Sequence, residues 1–298
     1  MNLIQLNDLR SEDIRHIWSL VTSPAPALDG TVAWSFEGNG IRTRTTFIEA
    51  FRRLGLAFTE LPNLLKTSER TCDLAGYLDP FFRMYVVREA NHARLAEFAA
   101  ASKRPVINAM SAQGHPCEVL TDAYFVDTHI KPLSQARVCL WGPSTNVFRS
   151  WHELARVLGL ELVQICHRSF HEALPHVSFA EPFAVQGPVD VVITDSWPAG
   201  AGTGHEAPID LAPLTAEHLA TLGHPALLPT PPFTLGRELT VDPLDYPGFV
   251  GYRQKELLLP VHIAILRWAL DNACARETVN APKRPAGDTR CSMGPKIS

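Results

Sequence analysis

Arg42 and Arg44 flank Thr43 just ahead of a run in which Phe47, Ile48, Phe51 and Leu54 recur at helical spacing. Asn39 and Gly40 are turn residues, so the helix is expected to begin at about the arginine pair. The first backbone N–H groups of a helix have no partner within it. With the helix dipole they form an anion site. Arg42, with its planar fork of donors, suits that site to a phosphate or a carboxylate. A solvated basic helix start is the plain alternative, and it stays open on these residues alone.

The elements needed to hold such a site are those of an α/β fold. Apolar strand patterns at Gly30 to Phe36, LAFTEL, MYVVR and PVINA alternate with helical patterns at Phe47 to Leu54, Thr71 to Leu78 and Ala93 to Ala100. Such alternation predicts a parallel sheet. Ligands of these sheets bind beyond the strand carboxyl ends, where Arg42, Arg88 and His115 would lie. A helix from about Pro116 to Thr128 leaves this first domain, residues 1–128. A second, 129–255, opens with ARVCLWG and continues through the helix Val147 to Leu158, the strand LELVQIC and the strand VDVVITD. Pro198 to Pro208 reads as a mobile loop. Glu256 to Leu270 reads as a long apolar helix, with Pro260 expected to kink it or mark its start. Residues 276–298 read as a disordered polar tail, and Ser11 as the N-cap of an N-terminal helix.

Composition narrows the class. A chain of 298 residues with 46% hydrophobic and 19% charged content has room for two cores and is globular. A net charge of −4 argues against a nucleic-acid partner. No apolar run approaches the ~20 residues of a membrane span, and the N-terminus lacks a signal-peptide layout. The six cysteines have no paired spacing, so they read as reduced, mostly buried cytosolic thiols, and zinc is not expected. GPSTNV (Gly142 to Val147) lacks the glycine layout of a dinucleotide site.

FEGNGIRTRTTFIEAFRRLG resembles the carbamoyl-phosphate loop of the aspartate and ornithine carbamoyltransferases, usually Phe-x-x-x-Ser-x-Arg-Thr-Arg-x-Ser-Phe-Glu. NAMSAQGHPCEVLTD (Asn108 to Asp122) is similar to the family's His-Pro-x-Gln-x-Leu-x-Asp signature. KTSERTCDLAGYLD (Lys66 to Asp79) resembles its Lys-Gly-Glu-x-x-x-Asp-Thr loop, and YVVRE (Tyr85 to Glu89) stands where a phosphate-binding arginine is expected. The matches keep the family's order, and the likeness runs from about Leu9 to about Leu270. It implies two doubly wound parallel-sheet domains, an interdomain helix, and a C-terminal helix (256–274) crossing back to the first. It also implies a cytoplasmic homotrimer without cofactor, its active sites at subunit interfaces, with Lys66 to Glu69 reaching into a neighbour.

By the same resemblance, Gly40, Ile41, Arg42, Thr43, Arg88, His115 and Glu118 would bind carbamoyl phosphate. Arg42, Arg88 and His115 would be the catalytic groups, with His115 polarising the carbamoyl carbonyl. Asn146, Asp195, Thr230 and Pro231 would meet the acceptor, Asp195 taking its amino group. Arg44 would pair structurally with a carboxylate such as Glu69.

Departures from the pattern bear on activity and on the acceptor. Gly40 and Ile41 replace hydroxyl donors, and Glu118 replaces the glutamine. Glu118 either accepts from the carbamoyl NH₂ or turns away to pair with an arginine. The Ser-Met-Gly ornithine signature gives way to Ala199 to Gly202, and His-Cys-Leu-Pro to Pro229, Thr230, Pro231 and Pro232. The aspartate enzyme's Arg-x-Gln pair has no counterpart. The expectation is therefore a carbamoyltransferase whose acceptor amine is neither ornithine nor aspartate. A silent paralogue serving as a ligand-binding or partner subunit is the alternative.

Overall fold

A computed structural model describes residues 1–184, 187–197 and 212–280, with 274–280 as backbone only. Two parallel sheets carry the chain. In the first, β1 (Thr31–Phe36), β2 (Ala57–Glu60), β3 (Met84–Arg88) and β4 (Val106–Met110) stand in the order β2-β1-β3-β4. In the second, β5 (Val138–Trp141), β6 (Leu162–Ile165), β7 (Val177–Ala180), β8 (Val191–Thr194) and β9 (Ala226–Pro229) stand in the order β7-β6-β5-β8-β9. In both, the order reverses beside the first strand, opening a crevice at the strand carboxyl ends. The central strands β1, β3, β5 and β8 are almost wholly buried, as expected of strands covered on both faces.

Helices α1 (Ser11–Val21), α2 (Ile41–Arg53), α3 (Thr71–Leu78) and α4 (His92–Ala101) belong to the first lobe. Helix α5 (Pro116–Phe125) extends into a π-helical turn, Val126–Ile130, and leads to the second lobe with α6 (Asn146–Leu158) and α7 (Ala216–Thr221). The chain returns through α8 (Gly251–Glu256) and α9 (Leu258–Asn280). Helix α9 packs on α1, α2 and α5. There His262 stacks on Phe47 with ring centroids 3.9 Å apart, and Arg267 Nη1 donates to the carbonyls of Leu20 and Ser23 at the end of α1.

Several expectations need adjusting. Ser11 is the first helical residue rather than the cap. Arg10 occupies the cap position, and the Asp13 carboxylate accepts its backbone N–H at 3.0 Å. Pro260 lies in the first turn of α9, where its missing N–H has no helical acceptor to satisfy, so it marks a start rather than a kink. The helix runs on to Asn280, beyond the expected beginning of a tail at 276; residues 281–298 lie outside the described residues, as does the whole of Pro198 to Pro208. Strands β7 and β9 were not legible. Each is a four-residue edge strand, and β9 ends in a proline. Of the cysteines described, Cys117, Cys139 and Cys166 are buried and Cys72 is exposed.

Candidate active site

The strand-end crevice between the sheets opens into a cavity of about 650 Å³. Its first wall is the turn before α2. Gly40 stands at the N-cap position with its carbonyl accepting from Arg44 N–H, followed by Ile41, Arg42 and Thr43 on the first turn. Thr43 is buried, whereas Ile41 keeps 70% of its surface at the rim. Arg88, the last residue of β3, lies with its guanidinium 5.0 Å from the centre of the Phe36 ring. A Cβ at Gly40 would run into that guanidinium and come within 2.6 Å of the Phe36 ring. Glycine at this position therefore leaves the space Arg88 occupies, which accounts for the missing serine. Burial, with the charge of Arg42 adding to it, makes Arg88 less costly to deprotonate than an ordinary arginine, while Glu37 works the other way. A bound anion would relieve that strain between like charges.

His115 forms the second wall. A tight turn after β4 brings it there: Ser111 N–H donates to the Gly114 carbonyl at 2.8 Å, and Gly114 N–H donates to Ser111 Oγ at 3.2 Å. His115 then caps α5 with Pro116 at its first position, and its backbone N–H donates to Ser150 Oγ of α6 at 2.9 Å. The ring Nδ1 is buried and has no partner among the described residues. Burial lowers the imidazole to a pKa of about 4, so the ring is neutral near pH 7. A neutral ring can present an N–H to a carbonyl oxygen without carrying a charge.

One turn along α5, Glu118 points to the same cavity and forms an ion pair with Lys255 of α8. Its partner is thus a lysine, not the arginine allowed for above. Burial would raise the Glu118 carboxyl, but the charge and hydrogen bond of Lys255 outweigh it and hold the pKa below the ordinary range. Beside this pair, Gln254 Nε2 donates to Asp122 Oδ1 at 2.5 Å, so α8 is fastened to α5 by neighbouring contacts. Lys255 is the charged cavity residue that sequence reasoning missed. A lysine on a short helix reads as a solvated charge, and its carboxylate partner is 137 positions away.

The third wall comes from the second lobe. Asn146, the first residue of α6, donates through Nδ2 to the Ser111 carbonyl at 2.9 Å and so spans the crevice. Asp195 follows β8. It is nearly buried, and its Oδ1 accepts Ser196 N–H at 2.8 Å. Burial raises its carboxyl to a pKa of about 7, against the lowering effect of hydrogen bonds from Thr145 and Ser196. Thr230 and Pro231 follow β9, and the buried Thr230 hydroxyl has no partner among the described residues. Every site residue expected from the sequence thus lines one cavity.

One neighbouring expectation is corrected. Arg44 pairs with Glu60, at 2.9 Å, rather than Glu69, because β2 brings Glu60 alongside the start of α2. Within its own chain, Lys66 pairs with Glu37 and Glu89, at 3.2 and 2.6 Å. Ala199 to Gly202 lie outside the described residues. Among the described residues, no cluster of His, Cys, Asp and Glu is placed to hold a metal ion, and no helix is long and apolar enough to cross a membrane.

Residues 2–128 match the family described as aspartate/ornithine carbamoyltransferase, carbamoyl-P binding domain. Ornithine carbamoyltransferase of Caulobacter vibrioides is 28% identical over 266 residues, covering 83% of this chain and 86% of the relative. That of Bradyrhizobium diazoefficiens is 29% identical over 267 residues, covering 83% and 87%. Among solved structures, anabolic ornithine carbamoyltransferase from Campylobacter jejuni aligns with a TM-score of 0.80 and 27% identity over 91% of this chain and 99% of that one. Ornithine carbamoyltransferase from Thermus thermophilus shares the fold at a TM-score of 0.80 and 22% identity.

Proposed function

The chain belongs to the aspartate/ornithine carbamoyltransferase family, and from that premise we propose that it moves the carbamoyl group of carbamoyl phosphate onto an amine whose cationic end meets Asp195. The observation that carries this reading is the single cavity with Arg42 and Arg88 on one side, neutral His115 between, and Asp195 on the other. The arginines and the open N–H groups of α2 suit the phosphate. A His115 N–H suits the carbonyl oxygen and its developing negative charge.

The neutral amine nitrogen attacks the carbonyl carbon of carbamoyl phosphate. The bond between that carbon and the phosphate oxygen breaks. Phosphate leaves with the electron pair and takes the amine's proton. The protein supplies position and charge rather than a covalent partner. Asp195 would hold a second amino group of the acceptor away from the reacting one. Of Gly40, Ile41 and Glu118, which in the sequence favoured a silent paralogue, Gly40 and Glu118 have local accounts in the space for Arg88 and the pair with Lys255, and nothing in the structure explains Ile41.

The relatives' name makes ornithine the first acceptor to try. The altered segments at Ala199 to Gly202 and Pro229 to Pro232 favour a different amine. The test is a panel of amines, ornithine and aspartate included, incubated with carbamoyl phosphate and read for ureido product by mass spectrometry. Turnover of another amine well above ornithine supports the reading. Ornithine as the best substrate overturns the acceptor assignment, and no product from any amine overturns the activity. We further propose a homotrimer. The exposed side chains of Phe58, Tyr77 and Phe81 on the first lobe support a covered surface there.

A further inference from the structure

We propose that Lys255 binds the donor substrate as a third cation beside Arg42 and Arg88, with Glu118 as the residue that positions it. This rests on the reading of the cavity given above. Lys255 lines the same cavity as both arginines and His115. It reaches there from α8, far along the chain, and its side chain is only 17% exposed. Glu118 is its one partner among the described residues. An ammonium has three N–H donors, so two remain for a ligand.

The surroundings favour the donor as that ligand. The second-lobe wall presents Asn146, Asp195, Ser196 and Thr230, with no cation among the described lining residues. The cations gather around His115, whose ring feels positive charge from both Arg88 and Lys255 and negative charge from Glu118. Three cations less one carboxylate leave a charge near +2 on the donor side. A phosphate carries about −1.5 to −2 near pH 7. The adjoining contact between Gln254 and Asp122 keeps α8 seated on α5, so Lys255 is held in place before the ligand arrives. A lysine needed only to neutralise Glu118 would be poorly explained, because a buried ion pair is commonly no more stable than an apolar replacement.

The experiment compares wild type, Lys255→Met, Glu118→Gln and the double variant by calorimetry with carbamoyl phosphate, and follows the melting temperature of each. The expected result is carbamoyl phosphate binding weakened roughly 10- to 100-fold in Lys255→Met. In the double variant the melting temperature returns toward wild type while the affinity stays low. A double variant that binds carbamoyl phosphate as wild type does would overturn the proposal, leaving the pair structural. Wild type that fails to bind carbamoyl phosphate would overturn the donor reading itself, and this inference with it.

Discussion

Gly40 has the least freedom to change of the residues at the cavity wall. Restoring the family serine there, Gly40→Ser, is expected to displace Arg88 and weaken carbamoyl phosphate binding by roughly tenfold or more; undiminished affinity in calorimetry would refute the packing argument. Arg42→Ala should remove a charge-assisted contact and raise the transition-state barrier by roughly 2–4 kcal/mol, read from kcat/KM. Asp195 gives a pH signature with a definite sign. Burial raises its carboxyl from 3.8 to about 7, so the folded chain holds this proton more tightly than the unfolded one. Its contribution to stability therefore falls as pH rises from about 4 to about 7. Asp195→Asn should gain stability relative to wild type in urea melts at pH 8 and not at pH 4. With a cationic acceptor, activity should fall as pH drops below about 7 in wild type, and Asp195→Asn should lack this limb. Most of these residues were legible because they sit in short motifs. The pairing of Arg44 with Glu60 and of Glu118 with Lys255 was not, since each is a meeting of distant segments.

Helix α5 is the element on which the site depends most. It begins at His115, carries Glu118 and Asp122 on successive turns, and is braced by α6 through Ser150. Ser150→Ala should leave the buried His115 N–H without an acceptor, lowering stability by about 1–3 kcal/mol. A denaturant titration would measure this, and kcat should fall as well because the ring loses its support. An unchanged midpoint would mean the N–H finds another acceptor. The central strands and most helices could be read from the sequence because their apolar runs are continuous or strongly periodic. Edge strands β7 and β9 were invisible for the opposite reason: β7 is only partly buried, and β9 is pinned by pairing with β8 rather than by its own pattern. The short helix α8 was not legible, because its six residues, mostly polar, carry no apolar periodicity of their own and lie ahead of the apolar run that begins at Glu256.

At the scale of the whole molecule, the proposed trimer predicts a sedimentation coefficient well above that of a 32.9 kDa monomer. A monomer with full activity would exclude it. The two-lobe layout was legible from the alternation of strands and helices, but the seating of α9 against α1 and α2 was available only by family analogy. That seating bears on how the protein is made. Phe47 leaves the ribosome about 215 residues before His262, the ring that stacks on it. At 5–20 residues per second, the apolar face of α2 waits on the order of 10–40 s for its cover. A nascent chain released at Leu257 should therefore expose that face, bind a hydrophobic dye and engage chaperones, even though both sheets have already been synthesised. The last stretch of translation would decide solubility.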